Sequence, residues 1–349
     1  MVQKTGIEDF LKLAEQFPVL DVRSPGEYNH AHIPGAHSLP LFSDEERKVV
    51  GTTYKQVSRE QAIKVGLDYF GVKMRAVVET AENIAAGTDG KVGKTLLVHC
   101  WRGGMRSSAI AWLLDLYGFK IYTLVGGYKA YRRWVLTQFA KPWKFNILGG
   151  YTGSGKTYVI HKLIERGNRV VDLEGIARHK GSAFGNTYGG QPTQEMFENL
   201  LAQALSIQGS LAGAGEPIWL EDESQRIGLV NLPAPLWATI RQSPVYFIKI
   251  PFEERLKHIV EEYGPLPEEF LLNAIERITK RLGGLDAKNA AIYIRERKFE
   301  DAFRILLKYY DRLYEKGLHN RVDFEKLVTY LPCETVTQEN YTKLVDFCA

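Results

Sequence analysis

At 349 residues, 45% hydrophobic and 25% charged, the chain has room for two domains that each bury a core, in the balance usual for a globular protein. No run of about 18 apolar residues occurs, which excludes a helical membrane span, and Met1-Val2-Gln3-Lys4 does not begin a charged-then-apolar leader, so a cytoplasmic location is expected. The three cysteines, at 100, 333 and 348, lack CxxC spacing, which argues against a disulfide scaffold. The net charge of +4 is unevenly shared: residues 1–144 hold 20 Lys/Arg against 14 Asp/Glu, and residues 145–349 hold 25 against 27. A basic N-terminal part suits a polyanionic partner, although a lysine-rich solvated surface gives the same count.

In chain order, an amphipathic stretch with Phe10, Leu11, Leu13 and Ala14 precedes a short apolar strand, Pro18 to Val22. Thr95 to His99 reads as a buried strand and Lys120 to Val125 as another. Between them Ile110, Leu113, Leu114 and Tyr117 fall at helical spacing, and Gly118 ends the helix. This alternation predicts a parallel sheet flanked by helices over residues 1–138. A seam at 139–144, Phe139-Ala140-Lys141-Pro142-Trp143-Lys144, separates it from a second α/β domain over 145–349. That domain opens on the strand Phe145 to Leu148, with further strands expected at Arg169–Leu173, Pro217–Leu220 and Val245–Ile250. From about Pro267 to Leu318 a helical part follows, and the last thirty residues carry no clear period.

The first chemical signal is Cys100-Trp101-Arg102-Gly103-Gly104-Met105-Arg106-Ser107-Ser108, placed where a strand runs into a helix. Paired glycines let backbone N–H groups turn inward as an anion nest, and the helix start adds its positive end. Such surroundings lower a thiol pKa and make Cys100 a nucleophile, with Arg102 and Arg106 gripping an oxyanion beside it. His99 is expected to face away from the loop. Cys333 and Cys348 have no such context.

The second signal, Gly150-Tyr151-Thr152-Gly153-Ser154-Gly155-Lys156-Thr157, fits G-x-x-x-x-G-K-[ST] after a strand. Gly150, Gly153, Ser154 and Gly155 would wrap a diphosphate, Lys156 would neutralise it and Thr157 could hold Mg²⁺. Asp172, Glu221 and Asp222 are candidate acids on the metal side of that loop, beside Glu174 and Glu223, and no metal is firmly assigned. Arg178, His179, Lys180 and Ser182 could reach an anionic substrate, and Arg255, Arg277, Lys280 and Arg281 sit on helices of the kind that close over phosphates. Solvated charges and surface ion pairs remain open for each.

Asp21-Val22-Arg23-Ser24-Pro25-Gly26-Glu27-Tyr28, His32-Ile33-Pro34-Gly35-Ala36, the Cys100 loop and Leu124-Val125-Gly126-Gly127-Tyr128-Lys129-Ala130 together resemble a rhodanese-like domain over about residues 5–138. The common rhodanese loop has one residue fewer between cysteine and arginine, so phosphatase chemistry stays open on loop length alone. The fusion to a P-loop NTPase-like domain is more specific. The cysteine loop, Gly149 to Thr157, Asp172 to Ser182, Gln191-Pro192-Thr193-Gln194 and Glu223-Ser224-Gln225-Arg226-Ile227-Gly228 resemble the tRNA 2-selenouridine synthase family.

That resemblance implies a transferase that replaces the sulfur of 2-thiouridine with selenium at the tRNA wobble position. Selenophosphate is the implied selenium donor, and an S-geranyl intermediate made from geranyl diphosphate is implied on the way. On that reading Cys100 handles selenium, Arg102 and Arg106 hold the donor's phosphate, and the P-loop binds a diphosphate. The partners it implies are the anticodon loop of tRNA and a selenophosphate supplier. Trp101 is a candidate stacking platform for a splayed base, and Arg132, Arg133, Lys141 and Lys144, interleaved with Tyr128, Tyr131 and Trp134, suit an RNA backbone. The alternative is a sulfurtransferase or phosphatase fused to a small-molecule kinase.

Overall fold

The computed structural model describes residues 2–86, 93–180, 190–211, 215–337, 340, 342 and 344–346. Ser182 and Cys348 lie outside the described residues. The chain divides into two compact units, Met1–Gln138 and Phe139–Ala349.

The first unit runs β1 (Gln3–Thr5), α1 (Ile7–Ala14), β2 (Val19–Asp21), α2 (Pro25–His30), β3 (His37–Ser38), α3 (Asp44–Gln56), α4 (Arg59–Gly71), α5 (Met74–Ala86), β4 (Thr95–His99), α6 (Met105–Tyr117), β5 (Lys120–Leu124) and α7 (Gly127–Gln138). Its sheet has the order β1-β5-β4-β2-β3, and every pairing is parallel. The central strands β2 and β4 bury Val19, Leu20, Leu96, Leu97 and Val98, which is why they read as unbroken apolar runs rather than alternating ones. Ile110, Ala111 and Leu114 of α6 pack on this core, and Gly118 ends the helix in the left-handed region at φ 113°. Tyr117, at core spacing in the sequence, is exposed and donates its hydroxyl to Glu82 at 2.7 Å. Helices α3, α4 and α5 have no counterpart in the sequence reading. Serines set the starts of the first two, Ser43 accepting from Glu46 N and Ser58 from Gln61 N, and α3 buries no side chain at all.

The second unit continues with β6 (Phe145–Gly150), α8 (Lys156–Glu165), α9 (Leu173–Ala177), α10 (Gln194–Ser210), β7 (Ile218–Glu221), β8 (Arg226–Ile227), β9 (Val230–Asn231), α11 (Ala234–Arg241), β10 (Val245–Lys249), α12 (Phe252–Tyr263), α13 (Glu268–Leu282), α14 (Gly284–Arg295), α15 (Phe299–His319), α16 (Phe324–Leu327) and β11 (Val328–Pro332). Its main sheet is parallel, in the order β11-β10-β6-β7. Helices α12 to α15 form a separate apolar cluster around Leu256, Leu271, Ile275, Phe303 and Leu306. The seam residues are counted with this unit: Ile218 N donates to the Lys144 carbonyl, and the Trp143 ring lies over Gly209.

The expected strand Arg169–Leu173 is reduced to a single parallel bridge between Val170 and Trp219. The cause is Asp172, whose carboxylate accepts from Gly175 N at 2.6 Å and starts α9 one residue later. Among the described residues no helix is long and apolar enough to cross a membrane.

Candidate functional site

Cys100 follows directly on β4, and its loop turns into α6 at Met105. The side chain is 3% exposed, and its sulfur lies 3.3 Å from the Ser107 hydroxyl and 3.4 Å from the Gly104 N–H, which donates to it. Burial disfavours the thiolate, but the Ser107 hydroxyl, the Gly104 and Ser107 amides and the Arg106 charge outweigh it and hold the thiol below its ordinary pKa. The loop is clamped from outside, with Tyr128 N donating to the Cys100 carbonyl at 2.8 Å and Lys129 N to the Trp101 carbonyl at 3.0 Å. Only glycines permit this approach. A Cβ on Gly103 (φ 64°) would stand 2.5 Å from the Leu124 carbonyl oxygen, and one on Gly127 (φ 57°) 2.3 Å from the Cys100 carbonyl oxygen.

Arg106 stands at the start of α6 and is not a free cation: its Nη1 donates to Glu27 at 2.7 Å. Arg102 is exposed and makes no ion pair among the described residues. Trp101 is 38% exposed, its ring centroid 5.7 Å from that of Tyr128. Behind the loop Arg23 is buried, paired with Asp21 at 2.6 Å and laid over the Tyr128 ring at 3.8 Å. His99 faces the same interior, as its sequence position suggests, and burial lowers its pKa and keeps it neutral.

The ring-and-cation cluster on α7 needs correction. Tyr128, Tyr131 and Trp134 are core residues, 0%, 1% and 8% exposed, so their rings are closed to an RNA base. They lie on the inner face of a helix on which Arg132 is half-buried and Arg133 exposed. Lys141 and Lys144 are exposed, Lys141 with its ammonium 5.7 Å from the Trp143 ring centre.

In the second unit the glycine-rich loop joins β6 to α8, with Ser154 fully buried. Lys156 donates to the Gly150 carbonyl at 2.9 Å, curling its ammonium back over the loop. The Thr157 hydroxyl donates to Glu174 at 3.3 Å. Of the carboxylates near this loop, Glu174 therefore approaches Thr157, while the three candidate acids are occupied differently. Asp172 caps α9. Glu221 is 1% exposed and accepts from Leu173 N at 3.0 Å. Asp222 takes the Tyr314 hydroxyl at 2.8 Å and the Arg321 guanidinium at 2.5 Å. Burial, reinforced by Asp172, Glu174 and Glu223, pushes Glu221 well above the usual carboxylate range. Glu174 is raised by burial against the pull of Lys156, and it hydrogen-bonds Glu223, which is raised by burial and by Glu174. Among the described residues no group of three or more His, Cys, Asp or Glu side chains is arranged to hold a metal ion.

Tyr314, unmarked in the sequence, and Arg255, expected to close over phosphates, both brace the glycine-rich loop. Tyr314 links the Gly150 amide at 3.3 Å to Asp222, and Arg255 is buried, donating to the Thr152 carbonyl at 3.0 Å and pairing with Asp311 at 2.7 Å. Arg255 thus props the glycine-rich loop rather than closing over it, whereas Arg277, Lys280 and Arg281 are exposed. Lys180 pairs with Glu262 at 2.5 Å. The Gln191 amide reaches the Ala177 and Ile227 carbonyls and the Leu229 N–H, and Gln194 bonds the Asn231 N–H and carbonyl. These clips fasten the β8–β9 hairpin, which explains why the motifs at 191–194 and 223–228 occur together. Tyr314 and Arg321 have no such motif; they belong to a long amphipathic helix and its exit.

A family model described as the tRNA 2-selenouridine synthase AAA domain matches residues 143–329, and the rhodanese-like domain model matches residues 7–133. The chain is similar to the tRNA 2-selenouridine synthase of Hydrogenovibrio crunogenus, with 35% identity over 91% of this chain and 94% of that protein. It is similar to proteins of the same name from Marinobacter nauticus, at 35% identity over 81% and 80%, and from a Sulfurovum species, at 34% over 85% and 88%. Among solved structures, the N-terminal domain of a Clostridium difficile 630 protein covers 38% of this chain at 40% identity and a TM-score of 0.35.

Proposed function

Because the chain belongs to the tRNA 2-selenouridine synthase family, we propose that it exchanges the sulfur of a wobble 2-thiouridine for selenium carried by selenophosphate, with the first unit doing the selenium chemistry. The observation that carries this reading is the Cys100 sulfur itself, buried, 3.4 Å from the Gly104 N–H that donates to it and held below the ordinary thiol pKa, in a loop that also carries Arg102 and Arg106. Arg102 and Arg106 hold the donor's phosphate and Cys100 is the selenium-handling nucleophile.

The second unit supplies the preceding step. Its glycine-rich loop and Lys156 bind the diphosphate of geranyl diphosphate, and the thiouridine sulfur attacks the first geranyl carbon as the C–O bond to diphosphate breaks. The alkylated sulfur is then a leaving group: the selenium of selenophosphate adds at the same ring carbon, geranyl thiolate departs, and water cleaves the remaining Se–P bond to release phosphate. Thr157 and Glu174 are the residues that would hold a Mg²⁺, which would neutralise charge on the departing diphosphate. Trp101 provides the half-exposed ring for a splayed base, and Arg132, Arg133, Lys141 and Lys144 serve the phosphate backbone of the anticodon loop.

The test is nucleoside mass spectrometry of tRNA from cells with and without this gene. Loss of 2-selenouridine, restored by the wild-type chain, is the expected result. Unchanged 2-selenouridine would sink the reading, and turnover of ATP with a phosphoryl acceptor in the absence of tRNA would favour a fused kinase instead.

A further inference from the structure

We propose that the anion site beside Cys100 contains a third cation, Arg47, and a resident counter-anion, Glu27, and that the two together decide which anions Arg106 admits. The inference rests on the Cys100 loop being an anion site, as argued above, and adds residues from two elements outside that loop.

Three helices converge on one carboxylate. Glu27 of α2 accepts from Arg106 of α6 at 2.7 Å, and Arg47 of α3 places its Nε 3.5 Å from the same oxygen. That oxygen also accepts from Ser24 N at 3.2 Å, which fixes the carboxylate against its own helix start. The position of Arg47 is built rather than incidental. Both carboxylate oxygens of Asp44, one turn earlier on α3, accept from Gly26 N at 3.0 Å. A Cβ on Gly26 would stand 2.9 Å from the Asp44 carboxylate, so a side chain there would push this clasp aside. Residues 44 and 47 share a helix face, so clasping Asp44 to Gly26 brings Arg47 over Glu27.

The charges are graded by exposure: Glu27 is 16% exposed and Arg106 21%, whereas Arg47 is 51% exposed and half in water. Arg106 is the ionised side chain whose charge reaches the sulfur. On the sheet side Asp21 and Arg23 neutralise each other and His99 is uncharged, so that face adds no net charge. Glu27 therefore tempers the one cation that favours the thiolate. An incoming anion must compete with a carboxylate for Arg106. A monoanion gains little by that exchange, while a tetrahedral dianion has oxygens enough to engage Arg106 and Arg102 and to draw on Arg47. The arrangement selects phosphate-like dianions, and Glu27 acts as a positioning and specificity residue rather than a catalytic one.

The test uses the full chain without tRNA, following iodoacetamide alkylation of Cys100 by peptide mass spectrometry across a pH series, with and without inorganic phosphate. Glu27→Gln keeps an oxygen for Ser24 and Arg106 but removes the charge. It should lower the pH midpoint of alkylation and lower the phosphate concentration that half-protects Cys100 by about two- to five-fold, the scale of a partly exposed charge pair. Arg47→Ala, at an exposed position that tolerates truncation, should weaken phosphate protection by a similar factor. A midpoint that stays or rises in Glu27→Gln would mean that Glu27 only props Arg106, and unchanged protection in Arg47→Ala would remove Arg47 from the site; either overturns the inference. Absence of phosphate protection in the wild-type chain would instead overturn the anion-site reading beneath it.

Discussion

Gly127 lies so close to Cys100 that no side chain fits between them: a Cβ on Gly127 would stand 2.3 Å from the Cys100 carbonyl oxygen. The Cys100 loop is therefore shaped by a turn 27 residues further along the chain, whose next residue, Tyr128, donates to that same carbonyl at 2.8 Å. Gly127→Ala should open this contact and cost about 1–3 kcal/mol from the left-handed backbone alone. Chemical denaturation should show the loss, and slower Cys100 alkylation at neutral pH should accompany it.

Thiol ionisation gives a prediction with a definite sign. The folded environment holds the Cys100 pKa below the ordinary thiol value, so the thiolate, and with it alkylation, should appear at lower pH than in the unfolded chain. Ser107→Ala removes the foremost of the groups that stabilise the thiolate against burial, so the pH–rate curve should move up and the rate at neutral pH should fall roughly ten-fold, the worth of one hydrogen bond to a charged group.

The two proposed half-reactions should separate by mutation. Cys100→Ser is expected to abolish selenium incorporation into tRNA while S-geranyl-2-thiouridine still forms and accumulates. Nucleoside mass spectrometry of cells carrying only the variant reads both products at once, and full 2-selenouridine in that variant would remove Cys100 from the chemistry.

Lys156→Ala should do the opposite. Its ammonium already lies over the loop, 2.9 Å from the Gly150 carbonyl, and its removal takes the compensating charge from a bound diphosphate. Geranyl transfer measured with purified tRNA should fall by at least about ten-fold, and equal transfer by variant and wild type would contradict the role.

Asp222 and Arg321 form a buried pair at 2.5 Å, with side chains 8% and 0% exposed. Arg321→Met should destabilise the second unit by about 3–5 kcal/mol, because it strands a carboxylate that has lost its counter-charge. The double variant Asp222→Asn, Arg321→Met should recover part of that loss in a denaturation series.

Much of this was legible in the chain because the signals are local. The strands at Thr95–His99 and Phe145–Gly150 are buried on both faces and read as apolar runs, and the glycines after them mark the two loops. Helices α3 to α5 escaped notice because α3 has no fully buried residue, and α4 and α5 bury mostly small ones, Ala62, Gly66, Ala81 and Ala85, which make a weak apolar stripe. The α7 rings misled for the converse reason: aromatic residues beside arginines look the same in sequence whether they stack on a base or fill a core.

The sequence by itself placed the strands that carry the cysteine loop and the glycine-rich loop, and it pointed to Cys100 as the candidate nucleophile, since each signal depends on neighbours within a few residues. Tertiary structure decided how those groups are charged and held. Glu27 reaches Arg106 across 79 positions, Tyr314 reaches Gly150 across 164 and Arg321 reaches Asp222 across 99. Coulomb energy and hydrogen bonding depend on distance in space and on exclusion of water, and neither quantity exists for the chain until it has folded.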